Sequence, residues 1–233
     1  MIAQQLKTID GTLSIQLPSQ LQEVTLGQLM QMQQVNPLTD LDAISILSGT
    51  AVDDLKNVKD FNDFDVFAET VLSLSNQIKY LYNSDAIPKK AGFTINGKMH
   101  EVNVISNLSI EPAGAFMAAR EIIADEIQQH IEQHGEADWQ ERFNPSLKAC
   151  CQVLAHYFYC RTTGNKYNDY QAGQFTETVK TLRVTEALPI AKHFFMSYPN
   201  LSKPKTGFWH RLRLLWRKRQ AYNRSKTLST STP

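Results

Sequence analysis

The sequence predicts a mainly α-helical protein with two small β-hairpins, which is an α+β fold. Long segments repeat apolar residues at intervals of three and four, as amphipathic helices do. Asp10-Gly11 and Asn96-Gly97 each lie between short stretches of alternating apolar and polar residues, which is the pattern of a hairpin. From residue 203 onward, basic residues are mixed with apolar ones, which predicts a basic amphipathic C-terminal helix after a helical body.

The first elements are a hairpin and a series of short helices. Residues 12–17 alternate between polar and apolar, as a half-buried strand requires. Thr25, with Gln28 three residues later, has the sequence of a capping box, and therefore predicts a helix start. Two further short helices are expected in residues 39–47 and 51–57.

A long helix and the second hairpin come next. Residues 61–82 carry apolar side chains at threes and fours, and so predict a single amphipathic helix. These side chains are Phe64, Phe67, Val71, Leu74, Ile78 and Leu81. Asn96-Gly97 then predicts a type I′ turn, because both residues tolerate the positive φ angles that this turn needs.

Helices account for the rest of the predicted body. One lies between Ser109 and Gly135, with its core face formed by Ala115, Ala119, Ile122 or Ile123, Ile127 and Ile131. The next opens with Asn144 as N-cap and Pro145 at the first helical position.

The last two helices of the body are shorter. One is expected around residues 171–182. The other is expected from residue 184 and is interrupted near Pro189.

Charge is distributed unevenly along the 233 residues. Nine of the 24 lysines and arginines follow residue 202, where no acidic residue occurs. Residues 1–202 therefore keep 15 basic residues against all 23 acidic ones, a net charge of −8. The pattern predicts an acidic body over residues 1–202, a basic tail helix over 203–226 and a disordered end over 227–233. A division of the body into two subdomains near residues 84–90 is an alternative.

Composition also bears on location. No apolar run is long enough to span a bilayer, and residues 1–10 lack the basic-then-apolar layout of a secretory signal. Cys150, Cys151 and Cys160 lie in one apolar helical pattern, which is typical of buried free thiols in a reducing compartment. A cytosolic protein is therefore expected.

Motifs of catalysis and cofactor binding are missing from the sequence. It contains no phosphate-binding glycine loop, no zinc-protease motif and no nucleophile elbow. His130 and His134 have the spacing of metal ligands, but their polar surroundings favour a surface pair near a helix C-terminus. His156 and His193 lie beside aromatic residues and are expected at the edge of the core. No catalytic residue, metal or cofactor is predicted.

The tail carries the candidate contact residues. On a helix over residues 207–219, one face would hold the apolar side chains of Phe208, Trp209, Leu212, Leu215 and Trp216. The remaining surface would hold five cations suited to phosphates or to an acidic surface, namely Arg211, Arg213, Arg217, Lys218 and Arg219. Such a helix could pack on the body, on a second copy or on a protein partner, bind nucleic acid, or lie on a membrane. The continuous apolar face favours protein contact, because phosphate binding does not need it.

Three stretches together resemble a known class of proteins. Residues 24–35, "VTLGQLMQMQQV", followed by "DLDAISILSGTAVDDLKNV", resemble the N-terminal part of small assembly proteins of tailed bacteriophages and prophages. "VTEALPIAKHFF", residues 184–195, is similar to a segment of phage proteins that ends in two phenylalanines. The resemblance implies a non-enzymatic tail or baseplate assembly factor, such as a chaperone of the tape-measure protein. The basic tail has no counterpart in that pattern.

The expected function is therefore a non-catalytic phage assembly factor that binds a tail or tape-measure protein in the host cytoplasm. One alternative is a structural virion or nucleoprotein component that contacts DNA through the basic tail. Self-association and an enzyme whose site assembles from distant residues are further alternatives.

Overall fold

The structure is a computed structural model, which describes residues 1–60, 64–81, 86–95, 97–104, 111–137, 139 and 143–197. Its strands are β1 (Ile2–Thr8), β2 (Gly11–Leu17), β3 (Lys90–Ile95) and β4 (Lys98–Asn103). Its helices before β3 are α1 (Leu26–Gln34), α2 (Asp40–Ser48), α3 (Val52–Lys56) and α4 (Asp65–Leu81). Those after β4 are α5 (Ala113–His134), α6 (Leu147–Thr163), α7 (Asp169–Gln174), α8 (Thr176–Val179) and α9 (Val184–Met196). The predicted class, mainly α with two hairpins, is confirmed.

Both hairpins form separate two-stranded antiparallel sheets. The register of β1 and β2 ends at Thr8↔Gly11, so the turn is Ile9-Asp10 and lies one residue before the predicted Asp10-Gly11. In the second hairpin the register ends at Ile95↔Lys98, which leaves the predicted two residues for the turn. Gly97 has a φ of 74°, a backbone conformation that glycine adopts without steric cost.

The predicted capping box starts α1. The Thr25 hydroxyl accepts a hydrogen bond from the Gln28 backbone N–H at 3.2 Å, and the Gln28 side-chain oxygen accepts from the Thr25 N–H at 2.9 Å. The Gln28 side-chain amide also donates to the Leu47 carbonyl at 3.0 Å, near the end of α2. The cap therefore both satisfies donors of the first turn and links α1 to α2.

The predicted core faces of α4 and α5 are largely buried. In α4 and just before it, the buried members are Phe64, Phe67 and Leu74, whereas Val71, Ile78 and Leu81 are partly exposed. In α5, the buried members are Ala115, Ala119, Ile123 and Ile127, so Ile123 rather than Ile122 faces the core. Ile131, also predicted for this face, is partly exposed.

The core is centred on α6, where 12 of the 17 residues are buried. This helix packs against α5, α7, α8, α9 and β4. The Phe158 ring lies 4.9 Å from the Phe93 ring of β3, and the Tyr157 ring lies 4.5 Å from the Phe194 ring of α9. Neighbours on several sides explain why burial in α6 is not confined to one face.

The start of α6 differs from the prediction. The helix begins at Leu147, and Ser146 caps it by accepting a hydrogen bond from the Ala149 N–H at 3.1 Å. Asn144 and Pro145 therefore precede the helix, and the predicted cap is wrong. The Ser146 N–H donates to the Glu126 carboxylate of α5 at 2.6 Å. This contact between distant parts of the chain fixes the capping residue, and local sequence does not reveal it.

The helix predicted over residues 171–182 is instead two short helices, α7 and α8. They meet at the buried Phe175. The Gly27 N–H donates to the Lys180 carbonyl and the Leu26 N–H to the Leu182 carbonyl, both at 2.8 Å. Because these carbonyls accept hydrogen bonds from the first turn of α1, the chain after Val179 forms a turn and not further helix.

The predicted interruption near Pro189 is also wrong, since α9 continues through this residue. A proline inside a helix removes one backbone hydrogen bond and disfavours the preceding turn. Leu188, Pro189 and Ile190 are all buried, as are Phe194 and Phe195 one turn later. We attribute the continuity of the helix to the apolar burial on both sides of the proline.

Residues Met1–Ser197 form one compact unit. The predicted tail helix over residues 203–226 and the predicted disordered end over 227–233 lie outside the described residues.

Candidate interaction surface

The contact residues predicted in the tail lie outside the described residues. They are the apolar Phe208, Trp209, Leu212, Leu215 and Trp216 and the basic Arg211, Arg213, Arg217, Lys218 and Arg219. Their predicted helix therefore stays a prediction.

A cleft of about 360 Å³ opens between the end of α1, the C-terminal half of α5 and the residues that lead into α6. Its polar lining includes Gln33, Glu126, Gln129, His130, Gln133 and His134. Phe143 and Asn144 complete the side that precedes α6. We call this feature the amide cleft. Its volume falls within the range of ligand-binding pockets.

Side-chain amides are the distinctive groups of the amide cleft. Gln33, Gln129, Gln133 and Asn144 come from three different parts of the chain. None of their side-chain amides makes a hydrogen bond within the described residues. Each such amide offers two N–H donors and one carbonyl acceptor, which match the groups of a peptide backbone.

The two histidines of the amide cleft stack on each other. Their ring centroids are 4.5 Å apart with an interplanar angle of 22°, and the Phe143 ring meets the His130 ring edge-on at 5.3 Å. His134 is exposed, as predicted, whereas His130 is partly buried and its Nε2 is shielded from water without a hydrogen-bond partner. Both histidines lie in the last turns of α5, as predicted, and His130 is the less exposed of the two because the Phe143 ring packs against it.

The pKa of His130 is lowered, first by burial and then by the charge that His134 would carry, while Glu126 opposes the shift. These causes favour the neutral imidazole, which leaves one ring nitrogen free to accept a hydrogen bond.

Glu126 is the acidic residue of the amide cleft. Its Oε1 accepts the hydrogen bond from the Ser146 N–H, and its Oε2 has no hydrogen-bond partner among the described residues. No lysine or arginine is among the described residues that line the cleft. Beside the Glu126 carboxylate, neutral or cationic groups are favoured over anions.

An apolar surface adjoins the amide cleft. Only one residue of α1, Leu26, is buried. We call residues 29–38, the rest of α1 and the residues just after it, the α1 segment. Its apolar side chains are partly exposed or exposed, and they are Leu29, Met30, Met32, Val35 and Leu38. Val35 is 37% exposed and Leu38 43%. Because Gln33 belongs to this stretch and also lines the cleft, the two features are continuous.

A third histidine, His156, forms with Tyr167 and Asp169 a set of hydrogen-bonded side chains that we call the clamp. The His156 Nδ1 lies 2.9 Å from the Tyr167 hydroxyl oxygen, and that hydroxyl donates to the Asp169 carboxylate at 3.0 Å. Since a phenol has a single proton, the His156 Nδ1–H must donate to the Tyr167 oxygen. Burial lowers the pKa of His156 and raises that of Tyr167, and the hydrogen bond to Asp169 raises the latter further. The clamp holds the loop after α6, and His156 is buried as predicted.

A second polar contact fixes the chain just before α5. Arg161 of α6 forms an ion pair and a hydrogen bond with Glu111, whose side chain is only 3% exposed. The guanidinium carbon also lies 5.3 Å from the centroid of the Tyr157 ring. These groups satisfy each other, so the pair has a structural role.

The three cysteines are free thiols, and Cys150 and Cys151 are buried as predicted. Cys160 is only partly buried. Burial raises the pKa of Cys150, and it raises that of Cys151 to about 11. The reactive thiolate is therefore disfavoured at both positions.

A further cavity of about 430 Å³ lies between the second hairpin and the end of α6. Of its polar lining residues, Thr162 and Thr163 already donate their hydroxyl hydrogens to the Phe158 and Tyr159 carbonyls. It offers fewer unengaged polar groups than the amide cleft.

In the part of the chain that the structure describes, no helix combines the length and the apolar character needed to cross a membrane. Nor does this part bring together three or more histidine, cysteine or acidic side chains in a way that could hold a metal ion.

A comparison of the chain with protein-family models, with curated protein sequences and with solved structures finds no match.

Proposed function

We propose that the protein is a non-catalytic assembly factor of a tailed phage or prophage, and that it binds another structural protein, such as a tail or tape-measure protein. The proposal starts from the resemblance of residues 24–35, 40–58 and 184–195 to phage assembly proteins. Its site of action would be the host cytoplasm, where tails are assembled.

The observation that carries the protein-binding role is the α1 segment beside the amide cleft. Val35 and Leu38 are exposed, and the apolar side chains before them in α1 are partly exposed. Contiguous apolar surface of this kind marks protein contact sites. Methionine suits such a surface because its flexible side chain adapts to the shape of a partner.

The test is co-expression of the full chain with candidate phage tail genes, followed by purification through a tag on this chain. We expect a tail or tape-measure protein to co-purify in fixed proportion and to stay bound in high salt, because apolar contacts are not screened by ions. Replacing Met30 and Val35 by serine should reduce the recovered partner. Replacing the exposed Gln31 and Gln34 by serine is the matched control. Equal recovery with both pairs would contradict this role of the α1 segment.

A second candidate function is DNA binding through the tail. It is favoured by the nine basic residues after residue 202 and by the lack of any acidic residue there. Each phosphate contact releases counterions, so the affinity of such a complex would fall steeply with salt. Co-purification with DNA that is lost at moderate salt, without any protein partner, would support this alternative instead.

A further inference from the structure

The amide cleft combines an unengaged carboxylate oxygen with four unengaged amides, and its surroundings are acidic. Residues 121–148 contain seven carboxylates against two cations, Arg142 and Lys148, which is a net charge of −5. Within the described lining of the cleft, Glu126 is the acidic residue and no cationic side chain neutralises it. The electrostatic field at this site therefore attracts a positive group.

We propose that the amide cleft receives an arginine or lysine side chain from an extended segment of the protein partner. This inference rests on the proposed protein-binding function and specifies the chemistry of the segment that is bound. Glu126 Oε2 acts as the counter-ion of the cationic group. The Gln129, Gln133 and Asn144 amides bond the peptide groups on either side of it.

The cleft can contact both the methylene stem and the charged group of an arginine or lysine side chain. The methylene stem of a long cationic side chain can lie against the Phe143 ring, which is partly exposed at one side of the cleft. The Ser146 N–H holds the carboxylate of Glu126 through Oε1 at 2.6 Å, so Oε2 is already oriented before a ligand binds. A fixed acceptor loses little freedom on binding, which favours affinity.

An anionic segment is a poor ligand for the same site. It would place a negative charge next to Glu126 without any lysine or arginine in the described lining. A purely apolar segment would bury the amides of Gln129 and Gln133 without hydrogen-bond partners, which is also unfavourable.

The test uses the full chain, labelled with ¹⁵N, and a synthetic peptide of defined sequence, Gly-Leu-Arg-Leu-Arg-Leu-Gly. The matched probe replaces both arginines by citrulline, which keeps the shape of the side chain and removes its charge. We expect the arginine peptide to shift the side-chain amide signals of Gln129, Gln133 and Asn144 in a saturable way. The amide signals of Gln4 and Gln16, in the first hairpin, should not move. The citrulline peptide should bind at least about tenfold more weakly.

Two variants of α5 separate a specific contact from the general charge of the helix. Glu126→Gln removes the charge but keeps an oxygen that can accept the Ser146 N–H, so the fold should be preserved. It should weaken binding of the arginine peptide about tenfold. Glu132→Gln makes the same charge change at an exposed position of the helix and should have less than about a twofold effect. Gln133→Ala, which removes an exposed amide, is the second cleft variant and should also weaken binding.

Several results would overturn the proposal. One is an equal loss of affinity for the arginine peptide in Glu126→Gln and Glu132→Gln. Another is equal affinity for the citrulline and arginine peptides. A third is a set of NMR signal shifts located away from the cleft. If deleting residues 204–233 moved the cleft amide signals with no peptide present, the occupant would be the tail of this protein and not a partner segment.

The peptide titration needs no natural partner, so it decides on the cleft independently of the proposed function. If a partner were identified and Glu126→Gln bound it normally, the cleft proposal would fail while the protein-binding function survived.

Discussion

At the scale of single residues, the clamp around Tyr167 places a strict requirement on position 114. A Cβ atom at Gly114 would lie 2.6 Å from the Tyr167 ring, which hydrogen bonds to His156 and Asp169 hold in place. We therefore expect Gly114→Ala to lower the free energy of unfolding by about 1 to 3 kcal/mol, the usual cost of overpacking.

Gly173→Ala is the matched control, because nothing lies within 4 Å of a Cβ at this position of α7. Alanine there should be neutral or should stabilise the helix by up to about 1 kcal/mol. The measurement is denaturant unfolding followed by circular dichroism. Equal stability of the two variants would show that Tyr167 moves aside without cost.

The buried pair of Glu111 and Arg161 gives a second prediction at this scale. Glu111→Ala leaves a mostly buried guanidinium without its counter-ion, and we expect a loss of about 3 to 5 kcal/mol in the free energy of unfolding. Glu121→Ala, at an exposed position of α5, should change it by less than about 0.5 kcal/mol.

The double variant Glu111→Leu with Arg161→Met distinguishes an unpaired charge from lost packing. Replacing both partners by apolar residues removes the cost of burying a charge, so the double variant should be more stable than Glu111→Ala. A double variant as unstable as Glu111→Ala would argue that the shape of the ion pair, and not its charge balance, matters here.

At the scale of elements, the capping box stabilises both the start of α1 and its contact with α2. Thr25→Ala should lower the free energy of unfolding by about 1 kcal/mol, because a first-turn N–H loses its partner. Gln28→Ala should cost more than Thr25→Ala, since Gln28 also bonds the Leu47 carbonyl of α2. Gln31→Ala, in the same helix and exposed, is the control. Thermal unfolding of the three variants would contradict this view if all had the same midpoint.

Elements that depend on local chemistry were predictable from the sequence. The capping box at Thr25 and the turn at Asn96-Gly97 each require particular residues at fixed spacing, and the structure confirms the elements they start or connect. The apolar periodicity of α4 and α5 likewise identified most of their buried residues.

Elements decided by tertiary contacts were predicted less well. Ser146 caps α6, and its backbone N–H donates to Glu126 of α5. No pattern in the sequence near Ser146 predicts this contact. The helix predicted over residues 171–182 is two short helices, and the Lys180 carbonyl accepts a hydrogen bond from the first turn of α1. Pro189 lies inside α9, because burial of its neighbours offsets the cost of proline in a helix. The sequence shows the proline but not this burial.

The amide cleft illustrates the same limit for a site. The spacing of His130 and His134 was visible in the sequence, but the partial burial of His130 and the surroundings of the pair depend on Phe143 and Gln33. These residues come from separate parts of the chain, and only the packing of α1, α5 and the start of α6 brings them together.

At the scale of the whole molecule, the uneven charge and the exposed apolar residues bear on the same role. Residues 1–202 carry a net charge of −8, and the nine basic residues that follow are mixed with tryptophan and leucine. Removing residues 204–233 should weaken partner binding or self-association. The loss should be visible as a smaller complex in size-exclusion chromatography with light scattering.

The most direct test of protein contact as the central role compares two pairs of tail substitutions. One variant carries Trp209→Ala and Trp216→Ala, and the other carries Arg217→Ala and Arg219→Ala. Both are assayed for binding to the co-purified structural protein and to duplex DNA over a range of salt concentrations. The tryptophan pair should weaken protein binding more, because truncating a buried large apolar side chain costs about 2 to 5 kcal/mol, whereas an exposed ion pair contributes about 0 to 1 kcal/mol. If the arginine pair instead abolished a tight, steeply salt-dependent complex with DNA while the tryptophan pair changed nothing, the protein-contact account would be wrong.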